Sequence, residues 1–148
     1  MSGKVLANVT GVVIDGRALL IEGPPGAGKS SLALALIDRG ARLVGDDAVE
    51  LQLRKSRLVA APPPNTPGLI EVRNVGIIAQ PTSEGPVSLV LVLDPGAERF
   101  PLETETRRIE GFAIPVLRFA AGDAVQALRA EYALAEHGLP LPKPGETA

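Results

Sequence analysis

The sequence predicts an α/β domain with a mixed β-sheet built around a phosphate-binding loop, and three observations carry that prediction. Gly23-Pro24-Pro25-Gly26-Ala27-Gly28-Lys29-Ser30 fits the pattern G-x-x-x-x-G-K-[ST] at every fixed position. The loop follows the apolar run Arg17 to Glu22 and precedes Leu32, Ala33, Leu36 and Ile37 at helical spacing. It therefore stands where a strand gives way to a helix, the context that gives this pattern its meaning. Asp15-Gly16 joins a β-branched run, Val5 to Asp15, to the same strand as a hairpin. A hairpin brings antiparallel pairing, so the sheet is mixed.

The remaining elements follow in chain order. Gly40 stops the helix that begins near Lys29, and Ala41 to Gly45 is a short apolar strand ending in Asp46-Asp47. Strand, glycine loop, helix and strand make a βαβ start, with the hairpin strands expected to flank it. Val49 to Leu53 alternates like a half-exposed strand, Lys55-Ser56 turns, and Arg57 to Ala61 returns. Pro62 to Gly68 carries four prolines and cannot be regular structure, because proline removes backbone donors and fixes φ. Leu69 to Ala79 is strand-like with an interruption around Asn74 and Gly76. Val87 to Leu93 is continuously apolar and reads as a buried strand closed by Asp94-Pro95-Gly96. Ala97 to Glu110 reads as charged and irregular, and Ile114 to Phe119 as one more strand. Asp123 is the expected N-cap of a last helix that docks through Val125, Leu128, Tyr132 and Ala135 and ends by Gly138. One domain is expected over residues 1–138, followed by a flexible tail over 139–148.

Composition narrows the function classes. The chain has 148 residues, enough for one hydrophobic core. Hydrophobic residues make up 45% of it but aromatics only 3%, so Val, Leu, Ile and Ala must build that core. Lys+Arg number 15 against Asp+Glu 17, a formal charge of -2 that gives no basic footprint for nucleic acid. There is no cysteine, which excludes disulfides and thiolate metal sites. No apolar run reaches the roughly 20 residues of a membrane-spanning helix, and Met1-Ser2-Gly3-Lys4 does not open a signal peptide. No membrane association and a cytoplasmic location are expected.

The loop predicts nucleotide binding. Gly23, Gly26 and Gly28 free the backbone to turn successive N–H groups toward phosphate oxygens. Lys29 adds a cation beside the β- and γ-phosphates, and the Ser30 hydroxyl is a ligand for Mg²⁺. The helix aims its positive N-terminal end at the same place. Together these imply ATP and Mg²⁺ as cofactors. A carboxylate is also needed, and two candidates compete. Asp94 ends the most apolar strand but stands in Asp-Pro-Gly, an ordinary turn. Asp46-Asp47 ends the strand after the loop helix and should emerge on the phosphate edge of the sheet.

The stretch from Gly23 through Leu34, continued by Asp38-Arg39-Gly40-Ala41-Arg42-Leu43-Val44-Gly45-Asp46-Asp47, resembles the bacterial HPr kinase/phosphorylase family. A second match, Leu69-Ile70-Glu71-Val72-Arg73-Asn74-Val75-Gly76-Ile77-Ile78, is similar to that family's signature segment. The likeness runs from about Asn8 to Tyr132 and corresponds to the catalytic domain of the family. It implies the family's P-loop fold and ATP- and Mg²⁺-dependent phosphorylation of a serine on HPr, the phosphocarrier of the sugar phosphotransferase system, or on an HPr-like carrier. It further implies a homo-oligomer, hexameric in the family. Asp47 matches the catalytic acid/base, with Asp46 beside it near the metal. Glu71 matches a second Mg²⁺ ligand that joins Ser30. Arg99 aligns best with an active-site arginine, with Arg107 and Arg108 as rivals.

Two departures bear on the reverse, phosphorylase, direction. Asn8 stands where the family has a histidine, and the lone His137 lies in the last helix. The family's dephosphorylation loop should fall near Val116 to Asp123, where Arg118 is the one cation. Two other readings share the loop: a small-molecule kinase, and a nucleotide-binding regulatory module without turnover.

Overall fold

The alternation of apolar residues decides the layers. The computed structural model describes residues 3–141. In chain order the elements are β1 (Lys4–Ala7), β2 (Val9–Ile14), β3 (Arg17–Glu22), α1 (Lys29–Asp38), β4 (Arg42–Gly45), β5 (Ala48–Arg54) and β6 (Arg57–Ala61). There follow β7 (Leu69–Val72), β8 (Gly76–Ala79), β9 (Gly85–Leu93), β10 (Glu105–Ile109), β11 (Phe112–Phe119) and α2 (Gln126–His137). Along β3, Leu19 and Ile21 point into a core shared with α1 and α2, while Ala18 and Leu20 point into a second core under β5 and β6. A strand buried on both faces has no polar side to show, which is why β3 and β9 read as unbroken apolar runs.

The principal sheet has nine strands in the order β1-β5-β6-β9-β3-β2-β4, with β11 on β9 and β10 on β11. β9 is its hub. Its first residues pair antiparallel with β6 and its last four pair parallel with β11, while β3 runs parallel along its other side. The Asp15-Gly16 hairpin forms as expected, with both residues at positive φ (49° and 83°). Its first strand corrects the expected layout, however. β2 does not flank the βαβ unit: it lies between β3 and β4 and pairs antiparallel with both. The long run Val5 to Asp15 is also two strands, because Asn8 takes a left-handed φ of 64° that breaks the extended chain.

Three further expectations change. The charged stretch Ala97 to Glu110 contains β10, an edge strand whose residues are almost all exposed, so no hydrophobic pattern marks it. The strand expected over Ile114 to Phe119 forms as the end of β11, its last four residues pairing with Val90 to Leu93, so that of the loop the resemblance implies near Val116 to Asp123 only residues 120–123 lie outside the strand. The last helix docks through Ala127, Ala130, Ala133 and Leu134; Val125, Leu128 and Tyr132 stay 51%, 39% and 64% exposed. Small side chains allow α2 to approach α1 and the sheet closely, and burial of that stripe outweighs the larger apolar residues on the other side. Asp123 is not the N-cap: its carboxylate accepts the Val125 N–H at 3.1 Å, one turn ahead of a helix that starts at Gln126.

Beyond Gly138 the chain remains attached. Leu139 N–H donates to Ser88 O at 2.8 Å, and the Arg57 guanidinium donates to Pro140 O at 2.8 Å. The rest of the expected tail, residues 142–148, lies outside the described residues. Among those described, no helix is long and apolar enough to cross a membrane.

Candidate functional site

The glycine loop leaves β3 and enters α1 at Lys29, as its residues require. Gly26 and Gly28 hold φ of 83° and 102°, left-handed values that a side chain disfavours. Gly23 serves differently from expectation: it is short of space, since an added Cβ would stand 3.1 Å from Ala27 Cβ and 3.3 Å from Leu93 Cβ. Lys29 is buried and folds back over the loop, its ammonium donating to Gly23 O at 2.5 Å and Pro24 O at 3.3 Å.

Opposite the loop stands the turn between β4 and β5. Ser30 Oγ donates to Asp46 Oδ1 at 2.7 Å, and Thr10 Oγ1 donates to the same oxygen at 3.0 Å. The other oxygen, Asp46 Oδ2, accepts the Glu71 N–H at 3.3 Å. Asp46 is thus a carboxylate held from three directions, by α1, by β2 and by β7. Asp47 is exposed and left-handed, with φ 69°. Its N–H donates to Thr10 Oγ1 at 3.2 Å, and its carbonyl accepts the Asn8 N–H at 2.9 Å. The β7–β8 hairpin reaches this place because Ile70 is fully buried in the core against α1, which leaves Glu71 on the opposite side of the strand.

These groups surround one cavity of about 590 Å³, lined by Pro25, Gly26, Gly28, Lys29 and Ser30 on one side and by Thr10, Asp46, Asp47, Glu71 and Arg73 on the other. Of the residues singled out in the sequence, the structure brings together the loop, Lys29, Ser30, Asp46, Asp47 and Glu71. It does not bring Arg99 there. That guanidinium lies over the Phe100 ring, 5.5 Å from its centroid, and lines a separate cavity of about 420 Å³ with Arg118, Tyr132 and His137. Arg107 comes closer to the loop, donating to Glu22 Oε2 at 2.6 Å immediately before Gly23, whereas Arg108 donates to Gly111 O. Asp94 behaves as a turn residue, accepting the Gly96 N–H at 2.8 Å. Thr10 was missed. The only signal for it is a hydroxyl in a strand otherwise made of Val, Ile and Gly.

The turn tolerates no added bulk. A Cβ on Gly45 would lie 2.0 Å from Ala48 O. Gly45→Ala is therefore expected to cost about 1–3 kcal/mol of stability through forced backbone shifts, read from the urea midpoint.

A glycine loop between strand and helix, with a carboxylate on its serine and further carboxylates across one cavity, defines the class of P-loop phosphate-binding domains. The family model described as HPr Serine kinase C-terminal domain matches residues 4–89, and the chain belongs to that family. The HPr kinase/phosphorylase of Clostridium acetobutylicum is 40% identical over 121 residues, which cover 73% of this chain and 40% of that protein. The HPr kinase/phosphorylase of Clostridium tetani is 47% identical over 77 residues, covering 51% of this chain and 25% of the relative. The matched segments thus span less than half the length of these relatives. The solved structure of the Hpr(Ser) kinase/phosphatase from Coxiella burnetii superimposes with a TM-score of 0.73 at 28% identity, covering 89% of this chain and 92% of that one.

Proposed function

We propose that this domain transfers the γ-phosphoryl group of ATP to a serine hydroxyl of HPr or an HPr-like carrier protein. The observation that carries the reading is the single cavity in which Lys29 and Ser30 face Asp46, Asp47 and Glu71. Lys29 and the loop amides hold the phosphates. Ser30 and Glu71 offer the hard oxygen ligands that Mg²⁺ prefers, with Asp46 fixing the serine hydroxyl. Among the described residues no three His, Cys, Asp or Glu side chains could hold a metal by themselves. Mg²⁺ at phosphates does not need such a cage, since one or two protein oxygens and the phosphates suffice. Bound there, the ion would draw phosphate oxygens together and offset their charge.

Asp47 is the base in this reading. Its side chain is exposed to the cavity, where an incoming hydroxyl can reach it, and its backbone is fixed from both sides. It takes the serine proton as the serine oxygen bonds to the γ-phosphorus, and ADP leaves with the electron pair of the broken P–O bond. Arg99 lines a separate cavity and has no part in this scheme. The forward direction is favoured over phosphorolysis, because Asn8 cannot titrate near neutral pH and Arg118 is engaged by Glu105 and Asp94. A homo-oligomer working in the cytoplasm completes the proposal, in keeping with the family likeness.

The test is transfer of radiolabel from ATP to purified HPr. Label on a serine of HPr is the expected result. ATP binding without label would favour the regulatory module, and label on a small acceptor instead would favour the small-molecule kinase.

A further inference from the structure

A strand of valines has little reason to carry a hydroxyl. Thr10 lies in β2 beside Val9, Val12 and Val13, is fully buried, and still lines the cavity of the glycine loop. A buried hydroxyl without partners is costly, so its bonds matter. An ionised carboxylate only accepts, and both Thr10 and Ser30 therefore direct their protons to Asp46 Oδ1. That leaves a Thr10 lone pair to accept the Asp47 N–H at 3.2 Å. One hydroxyl thus joins the side chain of Asp46 to the main chain of Asp47.

We propose that Thr10 is a positioning residue that couples the two halves of the site, keeping the Ser30–Asp46 pair aligned for Mg²⁺ and Asp47 in its left-handed conformation. The inference rests on the phosphoryl-transfer reading above for its functional meaning. Its physical basis is independent of it. With Asp46 accepting the Ser30 proton, the serine lone pairs are free to face a cation. Removing Thr10 leaves Asp46 with one restraint fewer and Asp47 N–H without its acceptor, at a residue whose φ of 69° is already unfavourable without glycine. β2 can supply this link because it lies between β3, which leads to the loop, and β4, which leads to the aspartates.

Thr10→Val keeps the shape and removes the hydroxyl; Thr10→Ser keeps the hydroxyl. ATP affinity is measured with and without Mg²⁺ by calorimetry, and hydrogen exchange at the Asp47 amide by NMR. In Thr10→Val the gain in ATP affinity conferred by Mg²⁺ is expected to fall about 10–100-fold, the usual effect of losing an outer-shell partner. Mg²⁺-free affinity should survive, and the Asp47 amide should lose its protection. Thr10→Ser should restore both properties. A Mg²⁺ gain unchanged by Thr10→Val, or absent from the unsubstituted chain, overturns the proposal, as does Thr10→Ser behaving like Thr10→Val. Should Thr10→Val fail to fold, the Asp47 amide of the unsubstituted chain and of Thr10→Ser decides: protection supports the link, and exchange at the rate of a free loop refutes it. Absence of label transfer by the unsubstituted chain would count against the kinase reading alone, since binding and exchange do not depend on turnover.

Discussion

Asp47→Asn is expected to lower phosphoryl transfer by about 10²–10⁴-fold, the range that a positioned general base contributes, with ATP affinity nearly unchanged. The expectation follows from how Asp47 is held. Its two hydrogen bonds to Thr10 and Asn8 are made by the main chain, so the substitution leaves both in place. Asparagine also tolerates the left-handed φ of 69° better than most residues. What changes is the side chain, which is exposed to the cavity and loses its capacity to take a proton. Steady-state kinetics should show the loss in kcat, with KM for ATP preserved. An Asp47→Asn protein that transfers phosphate at the parent rate would remove Asp47 from the chemistry.

Lys29→Met should act on the other half of the reaction and weaken both nucleotide binding and transfer. Lys29 is nearly buried, and its ammonium is held at Gly23 O and Pro24 O, over the loop itself. Those carbonyls keep the cation where β- and γ-phosphate oxygens would take their place. Methionine keeps a similar length and apolar stem without the charge, so packing survives while electrostatic stabilisation is lost. Loss of a cation that follows developing charge on a transferring phosphoryl group is expected to cost about 10²–10³ in rate. Calorimetry with ATP and the carrier-labelling assay would measure the two effects separately. Intact ATP affinity in Lys29→Met would mean that the loop amides alone hold the phosphates. The contrast between the variants is informative: Asp47→Asn separates catalysis from binding, and Lys29→Met does not.

Much of this site was legible before any fold was known. The loop motif specifies a local backbone with a cation and a hydroxyl at its end, and strand and helix patterns on either side place it. Position at strand ends left Asp46-Asp47 and Asp94 as competitors, and the resemblance to the HPr kinase/phosphorylase family chose the pair. The Asx turn at Asp94 agrees with that choice. Arg99 shows where such reasoning stops. It aligns within a segment of loop, and a loop's path over the surface is set by contacts distant in sequence, here the side of β11 and α2. The docking face of α2 differs from the sequence expectation for a related reason. Two apolar stripes run along that helix, and size alone favours the one with Tyr132. The close approach of α1 selects the alanine stripe.

Local pattern in the sequence carries the phosphate loop and the fully buried strands beside it, because these depend on neighbours within a few residues, whereas Asp46, Asp47 and Glu71 were singled out by the family resemblance. That β2 runs between β3 and β4 is set by pairing between strands distant in sequence. A hairpin signal fixes the pairing of its two strands, but it is silent on what pairs with the outer edge. That edge is filled by β4, and in consequence a threonine far from the motif stands between Ser30, Asp46 and Asp47.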